Sequence, residues 1–358
     1  MPRSPRTHGF LEHLGIQEPI IQAPMAGGAT TPELVSAVSE AGGLGFLGAA
    51  YLTAEAIATT ADEVRRRTSR PFGINLFAPL PEPSPGDVSR MLELLAPIHA
   101  GLGLSPPEVP SSPPSSFDAQ LDAVLATDAT VFSFTFGLLP DGVVDRLHAR
   151  EILVMGTATT VDEALQLEAT GVDAIVVQGS EAGAHRGTFG GPFEAAMIGT
   201  MALVPQVVDA VRVPVVASGG IMDGRGIAAA LALGAAAAQL GTAFLTCPES
   251  GIPASHKQAI LGGREDATRI TRAFSGRPAR GLVNRLMDLI DAEPDAIPPF
   301  PIQNTLTRPI RTAAAARDDA AHLSLWAGQG VRMARSLPAA DLVAALAEEL
   351  ASASRHLT

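Results

Sequence analysis

"VPVVASGGIMDGRGIAAALALGAAAAQLGTAFL", residues 213–245, holds the pattern that decides the fold. Two short apolar runs, one ending in Ser218-Gly219-Gly220 and the other carrying Gln239-Leu240-Gly241-Thr242, flank a helical pattern over 223–233. Residues 226–247 hold no charge for long enough to imitate a membrane span, but the run is mostly Ala and Gly and is split by Gly234 and Gln239. A helix followed by a buried strand fits better. The unit is then strand, crossover helix, strand, the element of a parallel sheet covered by helices.

The same unit recurs outward in both directions. Six more apolar runs bounded by turn residues precede it: PIIQAPM, GLGFLG, PFGINLF, TVFSFTF, EILVMGT and VDAIVVQG. Helical patterns lie between the runs at 32–41, 54–67, 141–149, 161–170 and 193–211. Thr31-Pro32 and Thr160 with Asp162 and Glu163 supply helix starts, and the glycines of EAGG supply a stop. Eight strands alternating with helices predict an α/β fold of the (β/α)8 TIM-barrel kind, with reacting groups at the C-terminal ends of the strands.

Two regions stand outside the repeat. Residues 80–117 are Pro/Ser-rich around a short helix and read as an insertion after the third strand, either a lid or a plain disordered loop. Residues 266–358 form a C-terminal helical extension, with a last amphipathic helix over 338–351, expected to pack on the barrel and active site. The barrel itself is assigned to 15–265.

Composition narrows the function classes. A net charge of -12 leaves no basic field for a nucleic-acid partner. Cys247 is the only cysteine, so no intramolecular disulfide forms and a cytoplasmic setting suits the chain. The N-terminal residues lack the apolar run of a secretory signal, and no membrane association is expected. No His/Cys cluster has metal-ligand spacing, and no nucleophile elbow is present. GGLGFLG places Gly43, Gly45 and Gly48 at the dinucleotide spacing, but a helix precedes the motif and its apolar residues are themselves a strand, so the fingerprint is rejected.

The strand ends hold the candidate chemistry. Ser218, Gly219 and Gly220 after the seventh strand, and Gln239, Leu240, Gly241 and Thr242 in the eighth, suit a phosphate gripped by main-chain N–H groups; small residues easing packing at a barrel rim is the equal alternative. Met25 after the first strand offers an apolar contact, and Asn75 in the third offers an amide. Gln178 ends the sixth strand, able to offer donor and acceptor to a planar ring. Beyond it Gly179 and Gly183 permit a tight path to His185, which can take a proton from a weak carbon acid or steady an anion. Glu181 is placed to orient that ring and Arg186 to attract an anion. Side chains transfer electrons poorly, which favours a flavin.

Several segments together resemble the nitronate monooxygenases (2-nitropropane dioxygenase-like, class I type): PIIQAPMAGGATTPELVSAVSEAGGLGFLGA, FGINLF, VVQGSEAGAHRG, the opening stretch from Pro214, TRAFSGRPARGLVN and LSLWAGQG. The resemblance implies FMN held by Met25, Asn75, Gln178, Gly183, Gly220, Gln239, Gly241 and Thr242, with His185 as catalytic base. It implies oxidation of alkyl nitronates, and of nitroalkanes, by O2 to a carbonyl compound and nitrite, without a nicotinamide. Members often line the pocket with tyrosines, whereas this chain has Tyr51 alone, Phe300 in PPFPIQN, and Ala184 where glycine is common. Two other readings stay open: an NAD(P)H-dependent FMN reductase of enoyl-thioester type, and a barrel that binds a phosphorylated ligand without turnover.

Overall fold

The computed structural model describes residues 5–81, 83, 84, 86–108 and 116–356. Eight parallel strands form one sheet: β1 (Ile20–Gln22), β2 (Gly45–Gly48), β3 (Phe72–Phe77), β4 (Val131–Thr135), β5 (Leu153–Ala158), β6 (Ala174–Gln178), β8 (Val215–Ser218) and β9 (Ala237–Leu240). Their order is β1-β9-β8-β6-β5-β4-β3-β2, and a parallel bridge between Ile21 and Leu44 joins the two ends. The eight expected runs therefore make a closed TIM barrel. Gly45–Gly48 is itself a strand preceded by α2 (Pro32–Glu40), as the rejection of a dinucleotide motif required.

Alternation along each strand sorts the side chains into two cores. Ile74, Leu76, Phe132, Phe134, Ile175, Val177, Ala238 and Leu240 face outward under the helices, whereas Ile21, Phe46, Val131, Met155, Val176, Val216 and Ala237 fill the barrel. Phe46 fills the interior only because residue 73 is glycine, since a Cβ there would lie 2.1 Å from the ring. Burying that ring contributes about 2–3 kcal/mol.

The helix α1 (Pro5–Leu14), which the sequence reading missed, places Phe10, Leu11 and Leu14 against the N-terminal ends of the strands and plugs that end. The C-terminal ends are left as the mouth. The helix expected over 193–211 is interrupted: a 3-10 turn at Glu194–Ala196 precedes α8 (Thr200–Ala210). Gly199 is extended there, and the Glu181 carboxylate accepts the Thr200 N–H that continuous helix would have used.

Much of the insertion is folded. The helix α4 (Ser89–Gly101) buries Met91 and Leu95 against Phe274, against Met287 and Ile290 of α12 (Arg285–Asp291), and against Leu306 and Ile310 of α13 (Ile302–Ala316). The last residue assigned to the insertion, Phe117, opens α5 (Phe117–Leu125), a helix on the barrel's outer layer that contacts α3 (Ala54–Arg67). The proline-rich residues 82, 85 and 109–115 lie outside the described residues.

A second, antiparallel sheet links barrel and extension. Its strands are β10 (Thr268–Thr271), β11 (Ala279–Leu282) and the two-residue β7 (Ala184–His185), in that order. The final helix α14 (Ala339–His356) lies across α2 and α9 (Gly224–Ala232), adding Leu342, Val343, Leu346 and Leu350 to the outer core.

Candidate active site

Strand register groups the expected strand residues into two sets. Gln178, Ser218 and Gln239 are successive partners across β6, β8 and β9, and Asn75 pairs with Ser133 across β3 and β4. Asn75 is buried and donates Nδ2 to Ser133 Oγ at 2.9 Å. Gln239 is buried with its Oε1 unpartnered. Beyond Ser218 the chain turns through Gly219 and Gly220 at φ 121° and 70°, a left-handed path that glycine takes without strain. Met25 reaches the same rim, its Sδ 3.7 Å from where a Cβ on Gly241 would lie. The Leu240 side chain points away into the outer core, so only its main chain faces this level.

The Gln178 amide, expected to face a planar ring, is turned to the loop. Its Nε2 donates to the His185 carbonyl at 3.0 Å, and its Oε1 accepts the Gly187 N–H at 2.8 Å. Both ends of the amide are spent on the loop, so Gln178 positions His185. Pairing of His185 with Ala279 across β7 and β11 fixes the same backbone from the other side.

The half-buried His185 ring stands among Phe136, Trp326, Phe300 and Phe77, with centroids 5.7, 5.7, 5.9 and 6.5 Å away. Its Nε2 lies 2.8 Å from Ser275 Oγ. Burial, then the cations Arg277 and Arg311, push its pKa down to about 3, so the ring is neutral at pH 7. The Arg277 guanidinium sits 3.9 Å over the Phe136 ring, and its Nε donates to the Arg186 carbonyl. Phe136 holds φ 81°, an outlier for a bulky residue, and Ala184 holds φ 58° beside the histidine. Strain of this kind collects at working sites.

Two expected roles fail. Glu181 does not touch the imidazole: its carboxylate accepts Thr200 N–H and Oγ1–H and so caps α8. Arg186 is buried, and its guanidinium donates to the carbonyls of Gln178 and Ala196, tying down main chain rather than reaching for an anion. Among residues adjoining the site, the sequence reading missed Phe77, Phe136, Ser275, Arg277, Arg311 and Trp326. The two phenylalanines were visible at the ends of the third and fourth strand runs, and Ser275 and Arg277 within TRAFSGRPARG.

The strap Trp326-Ala327-Gly328-Gln329-Gly330 closes one side of the mouth. Gly328 N donates to Thr242 Oγ1 at 2.9 Å and Gln329 N to the Glu181 carbonyl at 2.9 Å. Gly183 must be small for the strap to approach, since a Cβ there would lie 2.6 Å from Gly328 N. His256, on α11 (Ala254–Leu261), pins the strap through Nε2 at 3.2 Å from the Trp326 carbonyl, and burial pushes its pKa down to about 4. Among the described residues no group of three or more His, Cys, Asp or Glu could hold a metal ion, and no helix is long and apolar enough to cross a membrane.

Comparison with known proteins agrees on one family. Residues 9–349 match the family model described as nitronate monooxygenase. A probable nitronate monooxygenase of Staphylococcus aureus (strain Newman) is 43% identical over 339 residues, which is 94% of this chain and 95% of that protein. A solved nitroalkane oxidase from Streptomyces ansochromogenes is 47% identical with a TM-score of 0.90, covering 96% of this chain and 98% of that one. FabK from Thermotoga maritima is more distant, at 26% identity and a TM-score of 0.77, covering 98% and 97%.

Proposed function

The chain belongs to the nitronate monooxygenase family, and from that premise we propose that it oxidises alkyl nitronates, and nitroalkanes by way of their nitronates, to carbonyl compounds and nitrite with a bound flavin and O2. The observation that carries the reading is the His185 ring, held in an enclosure of aromatic rings at the barrel mouth beside the cations Arg277 and Arg311.

The strand-end wall fits a flavin. The buried, unpartnered Gln239 Oε1 awaits a donor such as a heterocycle edge presents, and Asn75 on β3 adds a second buried amide. Gly219 and Gly220 offer a main-chain cradle with no Cβ in it, and Thr242, which accepts from Gly328, keeps its own hydroxyl hydrogen for an anion. We assign FMN to this wall: Met25 against the ring, Asn75 and Gln239 at its polar edge, and Ser218, Gly219, Gly220, Leu240 main chain, Gly241 and Thr242 toward the phosphate. The strap over Thr242 and Gly220 favours a ligand that ends at one phosphate. Gly183 serves by admitting that strap. When bound, the flavin supplies the electron acceptor that side chains lack.

His185 supplies the proton chemistry. A neutral imidazole has a lone pair free to accept the α-proton of a nitroalkane. As that proton leaves, negative charge spreads over the nitro group, and the cations that oppose an imidazolium favour this anion. A nitronate arrives already deprotonated and needs only to be held. The aromatic walls exclude water, which strengthens both effects.

The test is the His185→Asn variant. It should keep its flavin spectrum and lose nitrite release from neutral nitroalkanes by about 10²–10⁴-fold. Unchanged turnover of neutral nitroalkanes would remove His185 from the mechanism.

A further inference from the structure

The contact between His185 and Ser275 says which imidazole nitrogen does the work. Ser275 is buried in the turn between β10 and β11. Its Oγ lies 3.1 Å from the Arg277 carbonyl, to which it donates, and accepts the Arg277 N–H at 3.3 Å. A hydroxyl has one hydrogen. Spent on that carbonyl, it leaves only lone pairs toward the imidazole, so the hydrogen of the 2.8 Å contact belongs to His185 Nε2. A neutral imidazole carries a single N–H, and its lone pair then sits on Nδ1.

We infer that Ser275 is a positioning residue that holds His185 in the Nε2–H form and so makes Nδ1 the atom that receives the substrate proton. The inference rests on the proposed role of His185 as base. In the step, the substrate C–H bond breaks and its electron pair becomes the C=N bond of the nitronate. The nitro oxygens take the charge, and the proton bonds to Nδ1. The imidazolium keeps Nε2–H on Ser275 Oγ, whose own hydrogen remains on the Arg277 carbonyl. The chain His185, Ser275, Arg277 carbonyl runs donor to acceptor throughout, so nothing reorganises as charge appears on the ring. The charged groups acting on the ring are Arg277, from the same turn as Ser275, and Arg311 from α13, while its ring neighbours Phe77, Phe136, Phe300 and Trp326 are uncharged.

Loss of Ser275 frees the ring to take either tautomer, and it should therefore separate substrates that need proton removal from those that do not. Two readouts decide it on the flavin-loaded protein. Nitrogen-15 spectra of the histidine rings, with His185 identified by its absence in His185→Asn, should show Nδ1 unprotonated in the parent chain and a mixture in Ser275→Ala. Steady-state kinetics should show kcat/KM for neutral nitroethane falling about 10–100-fold in Ser275→Ala, against less than about threefold for preformed ethyl nitronate, with Ser275→Thr restoring most of the difference. A protonated Nδ1 in the parent chain, or an equal loss on both substrates, overturns the inference. If Ser275→Ala does not fold, Ser275→Thr and the parent spectrum still decide it. A parent chain that releases nitrite from neither substrate would instead sink the proposed function, and the ring spectrum would still report which nitrogen Ser275 leaves free.

Discussion

The two walls of the barrel mouth are made of different material. The strand-end wall, with Asn75, Ser218, Gly219, Gly220, Gln239 and Gly241, is built from main chain and neutral polar side chains fixed by the register of a closed sheet. The cap wall, with His185, Ser275, Arg277, Phe300, Arg311 and Trp326, is built from imidazole, guanidinium and aromatic rings carried on a loop and on the C-terminal extension. Amides and glycines do not titrate and bind by shape. Imidazoles and guanidiniums do titrate, and when buried they respond to every nearby charge. Holding a cofactor and moving a proton thus fall to parts of the chain with different sensitivities.

Acid should separate the walls most strongly. His185 and His256 titrate at about 3 and about 4 in the folded protein, against 6.5 for a free imidazole. Both folded values are depressed, so their neutral forms contribute stability that is complete above about pH 6.5 and is lost as pH falls toward 4. Between these values the unfolded chain binds more protons, and each histidine costs roughly 1.4 kcal/mol per pH unit. His185 holds to Ser275 and His256 to the strap, so the loss falls on the cap. Thermal denaturation followed from pH 7 to 4.5 should show a slope in His256→Gln shallower than the parent by about one proton. An identical slope would mean His256 does not hold the strap by staying neutral.

Replacing Arg277 by Met should have the next largest effect. Its guanidinium faces Phe136 and ties down the carbonyls of Arg186 and Thr188. Without it a bound nitronate loses the field of a buried cation near His185, so KM for nitronates should rise by about tenfold. The His185 pKa should move up, because a cation that depressed it is gone. Flavin content, measured by absorbance, should not change. If flavin is lost as well, the two walls are not separable units.

The strand-end residues were all named from the sequence, whereas of the cap wall only His185 and Phe300 were, for a reason visible in particular residues. Gln178 and Ser218 end apolar runs and Gln239 lies one residue before the end of another, and pairing those strands in a parallel sheet sets the three side by side without further information. Ser275 meets His185 across ninety residues, through a sheet whose third strand is two residues long. No periodicity marks such a strand. Glu181 illustrates the converse error, since nearness in sequence to His185 suggested a partnership, yet its carboxylate turns to the first-turn amide of α8. Phe136 follows the last residue of β4, but its left-handed backbone, beside which the ring meets His185, has no sequence signature.

Phe136 gives a subtler way to sharpen the contrast. Phe136→Asn places a residue that tolerates the left-handed region and removes one aromatic wall. The space gained should favour longer chains, raising kcat/KM for the nitronate of 1-nitrobutane relative to that of nitroethane by about tenfold, the usual worth of apolar packing over one or two methylenes. An unchanged ratio would place the alkyl chain elsewhere than against Phe136.

The smallest effect belongs to the barrel alone. Asp223, which the sequence reading placed inside the helical run, instead caps α9, accepting from Arg225 N at 3.0 Å and Gly226 N at 3.2 Å. Its removal in Asp223→Ala takes the acceptor from those two donors and should cost about 1 kcal/mol, lowering Tm by roughly 2 °C for a chain of this size. The cost stays small because Glu349 of α14 independently accepts Gly224 N at 2.9 Å, so the helix start keeps one carboxylate. Nothing in this cap touches His185 or its ring neighbours, so nitrite release per flavin should match the parent. A variant that loses turnover while keeping its Tm would show that the barrel's outer helices govern the cap after all, and that the division between a holding wall and a reacting wall is too sharp.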